Sequence, residues 1–254
     1  MVKLSKRLQM IADRVPKGSR LADIGSDHAL LPTYLVQKGI VVYAVAGEVN
    51  PGPFEAATRQ VLECGLSSKI SVRSGNGLAV IEPGEAEVIT IAGMGGNLIA
   101  SILEAGKHKL RGVKHLILQP NVGEDQVRRW LDEHGWFVES EAILEEDGKI
   151  YEILTAVPAE GVMAGPFQAL YQDRRLHGGK VVDKARLLQM GPYLLEEAPE
   201  VWFRKWESEL EKLAMIEAQL SRSSAEASKA KAEQIAEEIR EIKEVLACLQ
   251  KVKP

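Results

Sequence analysis

Residues 22–32 read ADIGSDHALLP, a strand-like apolar stretch that runs into one glycine and then into a Ser-Asp-His cluster that opens a helix. A glycine turn after a buried strand lets a ligand approach the backbone closely, as in the first β-α unit of nucleotide-binding sheets. This stretch alone leaves three interpretations of the cluster open: catalysis, a phosphate or nucleotide cradle, and ordinary helix capping.

The surrounding chain repeats the same pattern of strand and helix. Apolar runs bounded by Gly, Pro and polar clusters alternate with helix-period segments through residue 157, which predicts repeated β-α units. An amphipathic helix at 4–15 precedes the first strand, because apolar residues recur on one of its faces. The strands are predicted near residues 19–25, 41–46, 69–73, 87–92 and 114–119.

The pattern changes in residues 136–157, WFVESEAILEEDGKIYEILTAV, where two long strand-like runs are joined by Asp147-Gly148. Asp-Gly between such runs is a strong hairpin signal. An antiparallel hairpin at the end of an α/β sheet is unusual for nicotinamide-binding domains and usual for class I methyltransferases. We therefore predict an α/β fold with a class I methyltransferase Rossmann-like sheet and a terminal antiparallel hairpin.

The last quarter of the chain has heptad spacing, with apolar residues at 235, 239, 242, 246 and 249, and SRSS at 221–224 separates it from a second apolar stripe. Heptads of this kind predict a C-terminal α-helical coiled-coil hairpin. The predicted organisation is a methyltransferase domain at 1–158, a connector at 159–200 and the coiled-coil hairpin at 201–254.

Composition narrows the class of protein. The 254 residues are 45% apolar with a formal net charge of −4, and they contain neither a membrane-length apolar run nor a signal peptide, so we expect a soluble cytoplasmic protein. The two cysteines and five histidines lack ligand spacing, so no metal is expected. Basic residues cluster in the first twenty positions, at 107–114 and at 174–186, where they either contact phosphates or form solvated surfaces.

The first two strand ends carry the groups of a nucleoside site. Asp23, Gly25 and Ser26 form the turn after the first strand, and Glu48 ends the second strand, where a carboxylate accepts hydrogen bonds from ribose hydroxyls. NAD and S-adenosylmethionine share this geometry, but the second and third glycines of a pyrophosphate-binding G-x-G-x-x-G are missing. The alternatives are that Asp23 only orders the turn and that Glu48 caps the following helix.

Polar and glycine-rich clusters also end the third, fourth and fifth strands, as SGNGL at 74–78, IAGMGGNLI at 91–99 and LQPN at 118–121. Asn76 has an amide that suits the edge of an adenine ring, or it is a turn residue between two glycines. The glycines of the second cluster leave an open floor beside a ligand, or start a helix that packs closely on the sheet.

The motifs ADIGSDHALLP, AGEVNPGPFEAA, GNGL, IAGMGG and LQPN, in this order and spacing, resemble the bacterial tRNA (adenine-22-N1)-methyltransferase family. The resemblance covers residues 3 to about 157, and residues 190–210 look like that family's passage into its coiled coil. It implies S-adenosylmethionine as methyl donor, tRNA as acceptor, and methylation at N1 of an adenine in the D-arm region. Leu30 departs from the tyrosine that family members often have after DHA.

The predicted site follows from the strand ends and this resemblance. Asp27 and His28 are the expected catalytic residues, although Asp27 is alternatively the N-cap of a helix that begins near His28. The expected cofactor-binding residues are Asp23, Gly25, Ser26, Glu48, Val49, Asn76, Gly77, Gly93, Met94 and Gly95. The expected tRNA-contacting residues are Lys6, Arg7, Gly96, Gln119 and Asn121. The rival functions are a nicotinamide-dependent oxidoreductase and a non-catalytic coiled-coil RNA-binding adaptor, and a monomer is favoured.

Overall fold

The computed structural model describes residues 2–161, 165, 169–222 and 225–250. The chain forms two compact units, residues 1–167 and residues 168–254. The first unit contains the sheet and the second contains the helical hairpin.

The first unit alternates strands and helices from its N-terminus, and a hairpin ends it. Its helices are α1 (Lys6–Ala12), α2 (Leu30–Gln37), α3 (Pro51–Glu63), α4 (Gly96–Ala105) and α5 (Glu124–Glu133). Its strands are β1 (Ser19–Ile24), β2 (Val41–Glu48), β3 (Ile70–Ser74), β4 (Val88–Gly95), β5 (His115–Val122), β6 (Trp136–Glu146) and β7 (Lys149–Pro158).

The seven strands form one sheet in the order β3-β2-β1-β4-β5-β7-β6. Strands β1 to β5 pair in parallel, β7 is antiparallel to β5, and β6 is antiparallel to β7. The central strands are almost continuously buried because helices cover both faces of such a sheet. The predicted α/β sheet with a terminal antiparallel hairpin is confirmed.

Helix α1 is shorter than its predicted span of 4–15 and is attached to the β6–β7 hairpin. The Ser5 hydroxyl accepts a hydrogen bond from the Leu8 amide at its N-terminus. The Glu146 carboxylate, at the end of β6, accepts hydrogen bonds from the amides of Lys6 (2.6 Å) and Arg7 (3.1 Å). A carboxylate at a helix N-terminus satisfies orphan amides and interacts favourably with the helix dipole.

A buried arginine connects α5 to the hairpin. The Arg128 side chain is 0% exposed, and its guanidinium pairs with the carboxylates of Glu141 on β6 and Glu152 on β7, each at 2.5 Å. Burial of a charge is tolerated only when such partners are present. No local pattern in the sequence indicates this cluster.

The second unit contains strands β8 (Arg174–Arg175) and β9 (Val181–Val182) and helices α6 (Lys184–Met190), α7 (Pro192–Glu197), α8 (Glu200–Ser221) and α9 (Glu226–Gln250). Helices α8 and α9 pack against each other as the predicted helical hairpin. The Trp202 indole, at the start of α8, is fully buried and donates a hydrogen bond to the Met190 carbonyl at 2.9 Å. Residues 174–197 therefore form elements that belong with the hairpin, where the sequence predicts a connector.

The basic cluster at 174–186 is largely neutralised within the second unit. Arg174 pairs with Glu196, Lys180 with Glu244, and Arg186 with Glu241. These pairs favour a structural role over phosphate contact for this cluster. Among the residues that the structure describes, no helix has the length and apolar character needed to cross a membrane.

Candidate active site

The carboxyl ends of β1, β2, β4 and β5 form the candidate site. These strands are parallel neighbours in the sheet, so the turns that follow them lie along one edge. Ligands of open α/β sheets bind at this edge, close to the point where the strand order reverses. Here the order reverses at β1, between β2 and β4.

Asp23 orders the turn after β1. Its carboxylate is 4% exposed and accepts hydrogen bonds from the Ser26 hydroxyl (2.5 Å) and the Thr90 hydroxyl on β4. Burial raises the pKa of Asp23, while the hydrogen bonds from Ser26 and Thr90 and the charge of Arg7 lower it. Asp23 and Ser26 thus hold each other in place and order the turn after β1. Thr90 is not among the predicted site residues, because a threonine within a strand gives no sequence signal of this contact.

The β1 turn comes very close to the β4 turn. Gly25 has φ +71°, and its amide donates to the Gly47 carbonyl at 2.9 Å. A Cβ atom at Gly25 would lie 2.2 Å from the Met94 Cε atom, so a side chain there is excluded unless Met94 moves. The left-handed backbone therefore favours glycine at this position, and a side chain there would also displace the flexible end of Met94.

The three residues after Ser26 all adopt left-handed backbone conformations. The φ angles of Asp27, His28 and Ala29 are 39°, 61° and 53°. Helix α2 begins only at Leu30, and Ala29 occupies its N-cap position without a side-chain capping bond. The alternative that Asp27 is the N-cap is therefore wrong. Non-glycine residues in this region are strained, and such strain concentrates at functional sites.

Glu48 holds this strained run in place. Its side chain lies at the end of β2, is nearly buried, and accepts a hydrogen bond from the Asp27 amide. Burial raises the pKa of Glu48, and the Asp27 amide opposes that rise. Helix α3 has Asn50 at its N-cap, so Glu48 does not cap it. The adjacent Val49 exposes 57% of its surface to solvent, beside the carboxylate.

Asp27 and His28 present their side chains to solvent at the same edge. The Asp27 side chain is 82% exposed and the His28 side chain 58%, and 3.5 Å separates the Asp27 Oδ1 and His28 Nε2 atoms. A carboxylate this exposed is available to an incoming substrate. Both predicted catalytic residues are thus placed together, next to Glu48.

The β3 turn lies beside the end of β2. The Gly75 amide donates to the Glu48 carbonyl at 2.9 Å, and the following Asn76 is exposed. Gly77 has φ +54°, and a Cβ atom there would lie 2.9 Å from Ile102 on α4. Asn76 and Gly77 line a cavity of about 380 Å³ that α4 closes on its other side. The Asn76 side chain is therefore accessible to a ligand, one residue after the turn that contacts Glu48.

The β4 turn is held by two amide side chains of β5. The Gly93 amide donates to the Gln119 Oε1 atom at 3.1 Å, and the Asn121 Nδ2 atom donates to the Gly93 carbonyl at 2.8 Å. Gln119 is 0% exposed, whereas Asn121 is exposed. The predicted contact between Gln119 and tRNA therefore differs from the structure, which buries Gln119 as a support of the turn.

Helix α1 also reaches the β4 turn. The Arg7 Nη1 atom donates to the Gln119 Oε1 atom, and the Arg7 guanidinium lies 5.3 Å from the centre of the Tyr151 ring on β7. Arg7 is half-buried, so the phosphate contact predicted for it differs from the observed placement. Lys6 is exposed and lines an open groove of about 700 Å³ beside α1 and α2.

Gly96 starts α4 at a point of backbone contact. A Cβ atom at Gly96 would lie 1.9 Å from the Gly123 carbonyl oxygen, and the residue is buried. Close packing explains this glycine, as the alternative interpretation of the IAGMGG motif has it, and the predicted tRNA contact of Gly96 differs from this placement. Met94 and Gly95 are half-buried beside it. Within the described ranges, no group of three or more His, Cys, Asp or Glu side chains is arranged to hold a metal ion.

The strand order, which ends in an antiparallel hairpin, defines a class I methyltransferase, the class that uses S-adenosylmethionine. The glycine turn after β1 and the carboxylate that ends β2 agree with this class. The family model of tRNA (adenine(22)-N(1))-methyltransferase matches residues 21–244. The chain belongs to this family.

Curated and solved relatives agree with this assignment. The tRNA (adenine(22)-N(1))-methyltransferase of Bacillus subtilis is 47% identical over 246 residues, covering 96% of this chain and 98% of the relative. The crystal structure of the Bacillus subtilis m1A22 tRNA methyltransferase superposes with a TM-score of 0.85 at 46% identity, over 96% of this chain and 99% of that one. A candidate tRNA (m1A22) methyltransferase of Streptococcus pneumoniae, solved in complex with S-adenosyl-L-methionine, gives 0.79 at 41% identity, over 96% and 100% of the two chains.

Proposed function

We propose that this enzyme transfers the methyl group of S-adenosylmethionine to N1 of adenine 22 in tRNA, the reaction that gives its family its name. The observation that carries the proposal is the edge of the sheet at which Glu48, Asn76 and the Gly25 turn meet the exposed Asp27. The chain that carries these motifs is 47% identical to a curated enzyme of this activity.

The residues at this edge fit the cofactor. Glu48 would hold the ribose hydroxyls, because a carboxylate accepts two hydrogen bonds from neighbouring hydroxyls. The exposed Val49 offers an apolar contact for the adenine ring, and Asn76 has donor and acceptor groups for the ring edge. The Gly25 turn presents backbone without a side chain of its own, and the end of the Met94 side chain lies beside it. When bound, S-adenosylmethionine supplies an electrophilic methyl group on a sulfonium.

The acceptor needs no activation by a base. N1 of neutral adenine carries an in-plane lone pair, so the N1–C bond forms as the S–C bond breaks, and positioning supplies most of the catalysis. The adenine must first leave its pairing partner, at a cost of a few kcal/mol. The methylated adenine is cationic, and the Asp27 carboxylate would stabilise this developing charge and accept a hydrogen bond from the exocyclic amine. His28, 3.5 Å away, would orient Asp27.

Titration calorimetry with S-adenosylmethionine and with NAD distinguishes this function from its rival, the nicotinamide-dependent oxidoreductase. We expect saturable binding of S-adenosylmethionine and no binding of NAD, because the turn after β1 has one glycine where a pyrophosphate requires three. Binding of NAD alone would contradict the proposal. Binding of neither would favour the non-catalytic adaptor.

We further propose tRNA as the macromolecular partner, a cytoplasmic location and a monomeric state. The location follows from the proposed substrate. Light scattering on the purified chain measures the oligomeric state, and a molar mass of two chains would overturn this part of the proposal.

A further inference from the structure

We propose that Arg7 is a positioning residue for methyl transfer, which fixes the Gly93 turn through the buried amide of Gln119. The inference rests on the proposed function and adds a residue from outside the sheet to its machinery. It assigns to Arg7 a role in the rate of transfer, where the sequence predicts a contact with phosphate.

Two hydrogen bonds meet at the Gln119 Oε1 atom. This single oxygen accepts hydrogen bonds from the Gly93 amide and from the Arg7 guanidinium. The Gln119 Nε2 atom faces acceptors instead, the Pro120 carbonyl at 2.8 Å and the Asn121 Oδ1 atom at 3.1 Å. Because a guanidinium only donates, Arg7 reinforces the one amide orientation that presents oxygen to Gly93.

The Gln119 Oε1 atom supports the left-handed conformation of the Gly93 turn. Gly93 has φ +77° and is exposed, so little packing restrains the turn. Its amide is held by Gln119 and its carbonyl by Asn121. The turn therefore depends on hydrogen bonds to β5. Among the described hydrogen bonds of the Gln119 side chain, only the one from Arg7 comes from a cation.

Arg7 is held by the β6–β7 hairpin. The β6–β7 hairpin contacts both the backbone and the side chain of Arg7. The Glu146 carboxylate accepts a hydrogen bond from the Arg7 amide, and the Tyr151 ring lies beside the Arg7 guanidinium. An arginine that donates a directed hydrogen bond while its guanidinium lies over an aromatic ring is not replaced by lysine, whose ammonium is a point charge on a flexible stem. The terminal hairpin thus positions the turn beside the acceptor through one side chain.

The Gly93 turn lies next to the β1 turn of the proposed reacting centre. Met94 follows Gly93, and its Cε atom lies 2.2 Å from the place that a Cβ atom on Gly25 would occupy. A shift of the Gly93 turn would move Met94 against the β1 turn and alter the space shared by cofactor and acceptor. A displacement of this kind lowers the rate at saturation more than it lowers affinity.

The test compares Arg7→Met, Arg7→Lys, Gln119→Leu and the double variant Arg7→Met/Gln119→Leu, with Lys6→Met as the matched control. Single-turnover methylation is measured at saturating S-adenosylmethionine and tRNA, with tRNA affinity measured separately. We expect Arg7→Met and Gln119→Leu each to slow transfer by about tenfold to a hundredfold. Arg7→Lys should not restore the rate, and the double variant should be within about twofold of the slower single variant.

The control separates this role from phosphate binding. Lys6→Met, one residue away and exposed, should weaken tRNA binding with a shallower salt dependence, as expected of a phosphate contact. If Arg7→Met instead weakens tRNA binding and leaves the saturated rate unchanged, Arg7 is a phosphate ligand and the inference is wrong. Rescue by Arg7→Lys, or multiplicative effects in the double variant, would also overturn it.

A second readout is independent of the reaction. Amide hydrogen exchange at Gly93 should become faster in Arg7→Met and in Arg7→Lys, and stay unchanged in Lys6→Met. If the wild-type chain transfers no methyl group while the Gly93 amide still depends on Arg7, the proposed function fails and the positioning contact stands. If Arg7→Met does not fold, as judged by its thermal melt, Arg7→Lys decides the exchange result. Unchanged exchange in the variant that folds would contradict the inference.

Discussion

Replacing Glu48 by alanine should release the strained run that lies over the proposed cofactor pocket. Three consecutive residues there have left-handed backbones, at a cost of about 1 kcal/mol or more each. The Glu48 carboxylate accepts a hydrogen bond from the Asp27 amide, and a hydrogen bond to a charged group contributes about 1.5 to 3 kcal/mol. The strain and the bond that opposes it are thus of similar size, so the run should relax when the carboxylate is removed.

The alanine variant loses this support together with the proposed bonds to ribose. We expect its affinity for S-adenosylmethionine to fall by about 2 to 4 kcal/mol, which corresponds to about 30-fold to 1000-fold in Kd. Glu48→Gln is the matched control, because its amide oxygen still accepts the Asp27 amide and it should lose less than the alanine variant. Titration calorimetry measures both. An alanine variant with wild-type affinity, or a glutamine variant weaker than alanine, would refute the reasoning.

Asp27→Asn should bind S-adenosylmethionine normally, because asparagine tolerates the left-handed backbone, and should slow single-turnover methylation by about a hundredfold; equal rates would remove the Asp27 charge from catalysis. Arg128→Met should lower the free energy of unfolding by about 3 to 5 kcal/mol, because it removes the cation between two buried carboxylates. The exposed neighbour Arg129→Met is its control, with an expected change within about 0.5 kcal/mol in denaturant unfolding. The amide of Arg7 and its neighbours hold the pKa of Glu146 below its usual value of 4.5. Glu146 therefore stabilises the fold above about that pH and loses its contribution as the pH falls through its lowered pKa. The difference in Tm between wild type and Glu146→Gln should shrink on acidification, and a difference that grows would contradict this.

The sheet was predictable because its signals are local. Each strand is an apolar run with glycine or polar residues at its end, and the Asp147-Gly148 turn has φ angles of 51° and 71° that match its hairpin signal. The heptads likewise predicted the hairpin, since Ile235, Ile242 and Leu246 are buried in α9. Patterns with a period of 2 or 3.6 residues report which side is buried, without knowledge of the partner.

The start of α2 was not predictable, because its cause lies elsewhere in the chain. Sequence rules expect Asp27 to cap a helix, yet the Glu48 carboxylate, 21 positions away, binds its amide and holds a left-handed run instead. Arg128 was missed for a related reason. Charged residues are expected at the surface, and only the folded hairpin brings two carboxylates to it.

The candidate site was predictable at the strand ends and not in its supports. Glu48 and Asp27 lie together as the motif spacing indicates. The contact between Arg7 and Gln119 joins positions 112 apart, and no local pattern encodes it. For the same reason the sequence analysis placed Gln119 against tRNA, although it is buried.

The most direct test of the account is methyl transfer from labelled S-adenosylmethionine to an unmodified tRNA, with the methylated position mapped by mass spectrometry of nuclease fragments. The account predicts one methyl group, at N1 of adenine 22, and none in a tRNA in which that adenine is replaced by guanine. The Asp27→Asn variant should yield the same product more slowly. A methyl group at another position, or transfer that persists after the replacement, would contradict the central claim.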